Sequence, residues 1–451
     1  MNNKKLRNII SNILAIMIII IAFIIYRKYD YNFYIKAISE KGKTVFTRDA
    51  NVKYSKERSY KIENKMPNDA MFYKEISVRE NTPYKVTCMI RTQDVIGDEL
   101  NPTAGAQICL NNTEEHSSVL QGNNDWTKME FYFNSKCNNK VEIGFRLGGN
   151  IQNASGTAWF SDLSIEEGAQ NDSTVWNFGC FLIENANVEI NGQQNKYTMT
   201  NQDKELAKSN MERLKGSIKN MSKNQMSLEY EIIEITEPVT TLTYDETNGY
   251  YIAEKDVYKL INKYVQEKEY DHVFVCTNLP LESELTHDKD VCEWVGLGNM
   301  MFVGKGFSNI RIISNDYTYS NKNTFPEEVF LHEFLHTLER NSNEYGYTIP
   351  ELHDYEKYNY ENDKYDGLRK WYMAYMNRTI QTNNGYVGLP SEIYSLKPVN
   401  STNFIYSNKL DKLDEPKNII EEINSVIYKI ERLFETRTSN INEEKVEGVS
   451  E

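Results

Sequence analysis

The chain has 451 residues, 40% hydrophobic and 12% aromatic, enough for two or three packed domains. Its 65 acidic residues outnumber 51 basic ones, giving a formal net charge of −14. Acidic charge spread along the chain repels phosphate backbones and argues against nucleic-acid binding.

The first expected element is apolar. Ile9 to Tyr26, "IISNILAIMIIIIAFIIY", follows Lys4, Lys5 and Arg7 and precedes Arg27 and Lys28. It is near the minimum of ~17 residues that spans a bilayer. It exceeds the ~7–15 residues of a signal-peptide core, and no small-x-small cleavage site follows. Residues 1–28 are therefore expected to be a cytoplasmic N-terminus and a single transmembrane signal anchor, with everything beyond outside the cell. A cleaved signal peptide is the alternative. The six cysteines, Cys88, Cys109, Cys137, Cys180, Cys276 and Cys292, contain no C-x-x-C pair, which disfavours a cysteine zinc site. They read as core thiols or as disulfides, with Cys276 and Cys292 able to close a short loop.

Residues 29–170 read as strand after strand: Tyr84 to Thr92, Trp126 to Phe133, Val141 to Gly149 and Thr157 to Ile165. In "WTKMEFYF", Met129, Phe131 and Phe133 share one parity, the mark of a half-buried strand. With Asn/Gly turns between them, such strands imply an all-β jelly-roll sandwich. The Tyr84 strand, "DWTKMEFYF" from Asp125 and the closing "GTAWFSDLSIEEG" from Gly156 resemble jelly-roll carbohydrate-binding modules. Where those modules carry two aspartates in the last strand, this chain has Ser161 and Asp162. The resemblance implies the fold and a possible glycan or glycoprotein ligand. Trp126 and Trp159 are expected in the core rather than as sugar platforms.

Residues 171–412 change period. A helix from Asp203, a strand from Ser227, and a helix carrying Val257, Leu260, Ile261, Tyr264 and Val265 lead to strands at His272–Cys276, Met300–Gly304 and Asn309–Ser314. This is an α/β (α+β) layout. Residues 413–451 read as an amphipathic helix, about Pro416 to Glu435, and a disordered tail.

The chemistry is concentrated in "LHEFLHTLERNSNEYGYTIPELHDYEKYNY", Leu331 to Tyr360, which holds half of the six histidines. Thr324 and Glu327 can form a capping box, and the helix is expected to run to Arg340, with Asn341 stopping it. His332, Glu333 and His336 then share one face, opposite Phe330, Phe334 and Leu338. Imidazoles four residues apart can both reach one Zn²⁺. Glu333, beside the metal rather than on it, can take a proton from a water that the metal acidifies and pass it to a leaving amine. A solvated helix face with two idle histidines is the bland alternative.

The segment resembles the metzincin zinc peptidases, whose motif is HExxHxxGxxH, often followed by Asp. Here Glu339 stands at the glycine position and Ser342 at the third histidine. The loop "NSNEYGYTIP" instead leads to His353, followed by Asp354, and His353 is expected as the third ligand. Glu356, Asp354 and Glu351 are the alternatives, Glu356 in the manner of gluzincins. The resemblance also implies a methionine turn, with Met376 favoured over Met373, and an oxyanion-stabilising tyrosine among Tyr358, Tyr372 and Tyr375. The strand Asn309 to Ser314 is expected to be the edge on which an extended peptide lies. The whole reads as a multidomain, membrane-anchored, extracellular zinc endopeptidase with a zincin-type domain. A surface adhesin with an inactive second domain, and a zinc amidase acting on cell-wall or glycan-linked substrate, are its rivals. Residues 171–200 could also cover the site as a pro-segment.

Overall fold

The computed structural model describes residues 33–37, 43–97, 102–150, 152–169, 172–190, 192–280, 294–314, 326–360 and 365–406. The expected anchor, Thr324, Cys292 and the expected C-terminal helix lie outside these residues. No helix among the described residues is long and apolar enough to cross a membrane.

The first part is built from β1 (Tyr34–Ala37), β2 (Thr44–Asp49), β3 (Ser59–Asn68), β4 (Ala70–Ser77), β5 (Pro83–Gly97), β6 (Gly105–Leu110), β7 (Gly122–Asn134), β8 (Lys140–Gly148) and β9 (Ala154–Ala169). They form two antiparallel sheets, ordered β1-β4-β8-β6 and β2-β3-β9-β5-β7. Met129, Phe131 and Phe133 are buried, as their parity requires. Phe145 of β8 stacks on Phe160 of β9 at 5.1 Å, and Tyr60 of β3 meets Phe72 of β4 at 5.2 Å. These rings join the facing sheets into a β-sandwich. Trp159 is buried, its indole N–H donating to Asp49, whereas Trp126 is half-buried against the exposed Tyr54, at 5.8 Å.

The second part opens with β10 (Val175–Ile183), β11 (Asn185–Ile190), β12 (Gln193–Thr198), α1 (Asn201–Met221), β13 (Ser227–Ile235), β14 (Thr243–Asp245), β15 (Gly249–Tyr251) and α2 (Glu254–Lys268). It continues with β16 (His272–Thr277), β17 (Gly296–Phe302), β18 (Lys305–Arg311), α3 (Glu328–Glu344), α4 (Tyr365–Met376), β19 (Ile380–Thr382) and β20 (Gly385–Val387). A five-stranded sheet runs β13-β10-β16-β18-β17, parallel except for β17. Its three inner strands, β10, β16 and β18, are buried on both faces. Trp176, Phe178, Cys180 and Leu182 of β10 pack with α1, α3 and α4, while Phe181 and Ile183 pack with α2 on the other side.

Three expectations need correction. Residues 171–200 do not form a cover over the site, because 175–183 is a central strand; its unbroken apolar run lacks the alternation that marks a one-faced strand. The sheet edge is β17, not the strand at 309–314, because β18 is paired on both sides. Helix α3 does not stop at Asn341: it continues to Glu344, and Asn341 is buried with its amide donating to the Leu396 carbonyl. Cys276 is a free thiol whose Sγ lies 3.6 Å from that of Cys180.

Candidate metal centre

Helix α3 is held from below by Phe330, Leu331, Phe334, Leu335 and Leu338, all fully buried in the core shared with α1 and α4. The rest of its circumference faces β17 and the return segment at 347–360. Its next turns therefore place His332 and His336, four residues apart, over a cleft of about 410 Å³. Asn248, Tyr251, Gly296, Leu297, Gly298, Asn299, Met300, Glu333 and His353 also line that cleft.

His332, His336 and His353 converge, with ligand atoms within 4.8 Å of one another. The Nε2 atoms of His332 and His353 face each other at 2.9 Å. Two nitrogens on one zinc at ~2.0–2.1 Å stand about 3.3 Å apart in a tetrahedral site, so these two rings would have to part slightly to hold such an ion. Among the described residues no carboxylate joins this group. Glu356 and Glu351 are exposed, and Asp354 accepts from Lys357 at 2.8 Å.

Each helix imidazole has its other nitrogen tied off. His332 Nδ1 lies 2.9 Å from the Tyr372 hydroxyl, which itself donates to Glu328. With its own proton so engaged, the Tyr372 oxygen accepts Nδ1–H and leaves His332 Nε2 with its lone pair. His336 Nδ1 lies 2.8 Å from Glu339 Oε2, with the same consequence. Burial, and then the neighbouring His336 and His353, hold the His332 pKa well below the usual range. Burial followed by His336 lowers that of His353, with Glu339 and Glu351 opposing. Neutral imidazoles are the form that ligates metal.

Glu333 lines the same cleft, its carboxylate seated against β17. Burial raises its pKa to about 8, the Glu328 charge adds to the rise, and the Gly298 N–H bonded to its carboxylate opposes it. A Cβ at Gly296 would lie 2.5 Å from Glu333 Oε1, and one at Gly298 would lie 2.7 Å from both Oε2 and the Glu333 carbonyl. The "GLG" of the edge strand is thus a seat for this carboxylate.

Neither a family model nor a curated protein matches the chain. Among solved structures it is similar to carbohydrate-binding modules. One is a CBM4 module, at 14% identity, covering 30% of this chain and 86% of that one, with a TM-score of 0.21. A second is a CBM61 module in complex with β-1,4-galactotriose, at 10% identity, 30% and 88% coverage, and a TM-score of 0.21. The CBM22-1 xylan-binding domain from Paenibacillus barcinonensis Xyn10C is 12% identical, with 30% and 85% coverage and a TM-score of 0.20.

The remaining expected site residues lie around the cleft rather than in it. Met376 is buried at the end of α4, its carbonyl accepting from Tyr394. Tyr375 donates to the Pro350 carbonyl and Tyr358 stacks on Trp371, so of the three tyrosines it is Tyr372 that reaches an imidazole. Sequence reasoning missed Glu328, Glu339, Gly296 and Gly298. Glu328, His332, His336 and Glu339 fall at i, i+4, i+8 and i+11, one stripe of the helix, and that spacing was the available signal.

Proposed function

We propose that the chain is a zinc-dependent endopeptidase, anchored by residues 1–28 with its folded parts outside the cell. His332, His336 and His353 would hold the ion. The observation that carries this reading is three converging imidazoles, two with Nδ1 tied to a named acceptor, beside a buried carboxylate at the edge of a sheet.

Zinc, when bound, supplies Lewis acidity, acidifying water and polarising a carbonyl group. The chain does the rest. Glu328 and Tyr372 hold the His332 ring, and Glu339 holds that of His336. Glu333 accepts a proton at its carboxylate and returns it to the nitrogen of the leaving amine. A cation between the imidazoles favours the ionised carboxylate, offsetting the burial that raises its pKa. The free edge of β17 offers backbone groups to an extended peptide substrate, with Asn248 and Tyr251 across the cleft. The missing metzincin glycine is compatible with this reading because the third histidine arrives by a longer return segment.

The second reading is a surface carbohydrate-binding protein whose second part is inactive. The half-buried Trp126 beside the exposed Tyr54 favours it, and it is compatible with the sugar-binding modules named above. A zinc amidase acting on glycan-linked or cell-wall substrate would use the same three histidines and Glu333.

Metal content of the full-length chain separates these readings. About one zinc per chain is expected, kept in Glu356→Ala and weakened in His353→Ala. Glu333→Gln should keep zinc while hydrolysis of a peptide library falls roughly 10²–10⁴-fold. A folded parent without zinc would leave the carbohydrate-binding reading in front. Zinc kept in His353→Ala and lost in Glu356→Ala would reassign the third ligand.

A further inference from the structure

The Glu339 side chain joins the motif helix to the segment that delivers His353. It lies seven residues after His332 and three after His336, on the same stripe of α3. Oε2 is 2.8 Å from His336 Nδ1, and Oε1 accepts the backbone N–H of Leu352 at 2.6 Å. Both partners of the histidine contact are largely shielded, with side chains about 15% exposed. Leu352 is buried, and its carbonyl accepts the Trp371 indole N–H at 2.8 Å. The residue before His353 is therefore clamped at both ends of its backbone, to α3 through Glu339 and to α4 through Trp371.

A carboxylate suits this place because both of its neighbours are donors. It offers two acceptor oxygens and no proton, so it can receive His336 Nδ1–H and the Leu352 amide together. An amide side chain cannot. Turned one way, its NH₂ would face the Leu352 N–H. Turned the other way, it would face His336 Nδ1 and impose the tautomer that carries the proton on Nε2.

We propose that Glu339 is a positioning residue that sets the geometry of the histidine cluster, fixing the tautomer of His336 and the placement of His353 with one carboxylate. This rests on the three histidines being the metal-binding set. A mere i,i+3 ion pair on a helix surface would leave metal binding unchanged.

The test uses the full-length chain with Glu339→Gln and Glu339→Ala, the second keeping a strong helix former at the position. Zinc affinity, measured by competition with a chromogenic chelator, should fall roughly 10–100-fold in both. In the His353→Ala background the same Glu339→Ala change should cost less than it does in the parent, since its effect on His353 is already gone. A metal-free readout runs beside this. With only six histidines, selective ¹⁵N-histidine labelling should report the Nδ1–H tautomer for His336 in the parent and its loss in Glu339→Gln. A parent that binds zinc, with both variants binding within twofold of it and the tautomer unmoved, would overturn the proposal alone. A folded parent that binds no zinc would overturn the metal reading and this proposal with it.

Discussion

Two glycines of this chain make opposite predictions from the same substitution. At Gly298, an added Cβ would meet the Glu333 carboxylate and carbonyl at 2.7 Å, and the backbone it would push carries the N–H bonded to Glu333. Gly298→Ala should destabilise by about 1–3 kcal/mol through overpacking. At Gly216, inside α1, a Cβ meets nothing within 4 Å. Gly216→Ala should stabilise by roughly 0.5–1 kcal/mol, because alanine has less backbone freedom to lose. Denaturant midpoints of the two variants check both signs, and a Gly298→Ala protein as stable as the parent would remove the proposed seat for Glu333. His272 is a second residue whose setting predicts behaviour. It is fully buried between Thr337 and Ser308, and burial holds its pKa down to about 3. Below an ordinary pKa of ~6.5 the unfolded chain takes up a proton there while the folded chain does not. Its contribution is therefore complete above pH ~6.5 and is lost as pH falls, by about 3 kcal/mol between pH 6.5 and 4. His272→Gln should flatten that part of the pH dependence of the urea midpoint.

At the scale of elements, α3 must be rigid for His332 and His336 to keep their spacing, and Phe334 between them is its main anchor. The ring is fully buried, 4.7 Å from Phe178, 5.3 Å from Trp176 and 5.3 Å from His272. Phe334→Ala should cost about 3–5 kcal/mol, since the strands beneath cannot close the gap. Zinc should protect the variant, by mass action, less well than it protects the parent; melting curves with and without the ion would show it. The sequence was readable here because period carries burial. The His332–His336 motif, the strand at 227–235 and the sandwich strands at 84–92 and 157–165 all lie within observed elements, although α3 begins only at Glu328, with Glu327 at its N-cap rather than inside its first turn. Less readable was β10, whose neighbours cover both faces, and the identity of the edge strand. Pairing order is a non-local property, and nothing in "MMFVG" distinguishes an edge from a centre. Glu339 escaped for a related reason: its value depends on the Leu352 amide, which only the folded return segment brings to it.

For the molecule as a whole, the question is whether the sandwich is a tethered module or part of the frame that holds α3. Its contacts answer for the frame. Lys136, between β7 and β8, sits between Glu115 of the sandwich and Glu344 at the end of α3, and it is about 16% exposed. Cys137 N–H donates to the Glu344 carbonyl at 3.3 Å, and Arg340 of α3 reaches Glu114. His116 of the sandwich meets Glu254 at the start of α2 at 3.1 Å. A cation and a donor at the C-terminal end of α3 are favourably placed against its dipole. The two flanking carboxylates hold the Lys136 pKa above its ordinary value although burial opposes them. Replacing Lys136 by Met leaves the buried Glu115 without its cation, a change expected to cost about 3–5 kcal/mol. Because the lysine is shared, the loss should reach both parts. Trp126 and Trp159 report on the sandwich, and Trp176, Trp294 and Trp371 on the sheet and helices beyond it. In the parent, fluorescence from the two sets should lose its folded signal at one denaturant midpoint, and in Lys136→Met both should move down together. A sandwich midpoint that stays put while the other falls would mean a module attached to α3 and not a support for it. In that case the first place to look for function in residues 29–170 would be its own aromatic pair, the exposed Tyr54 and the half-buried Trp126.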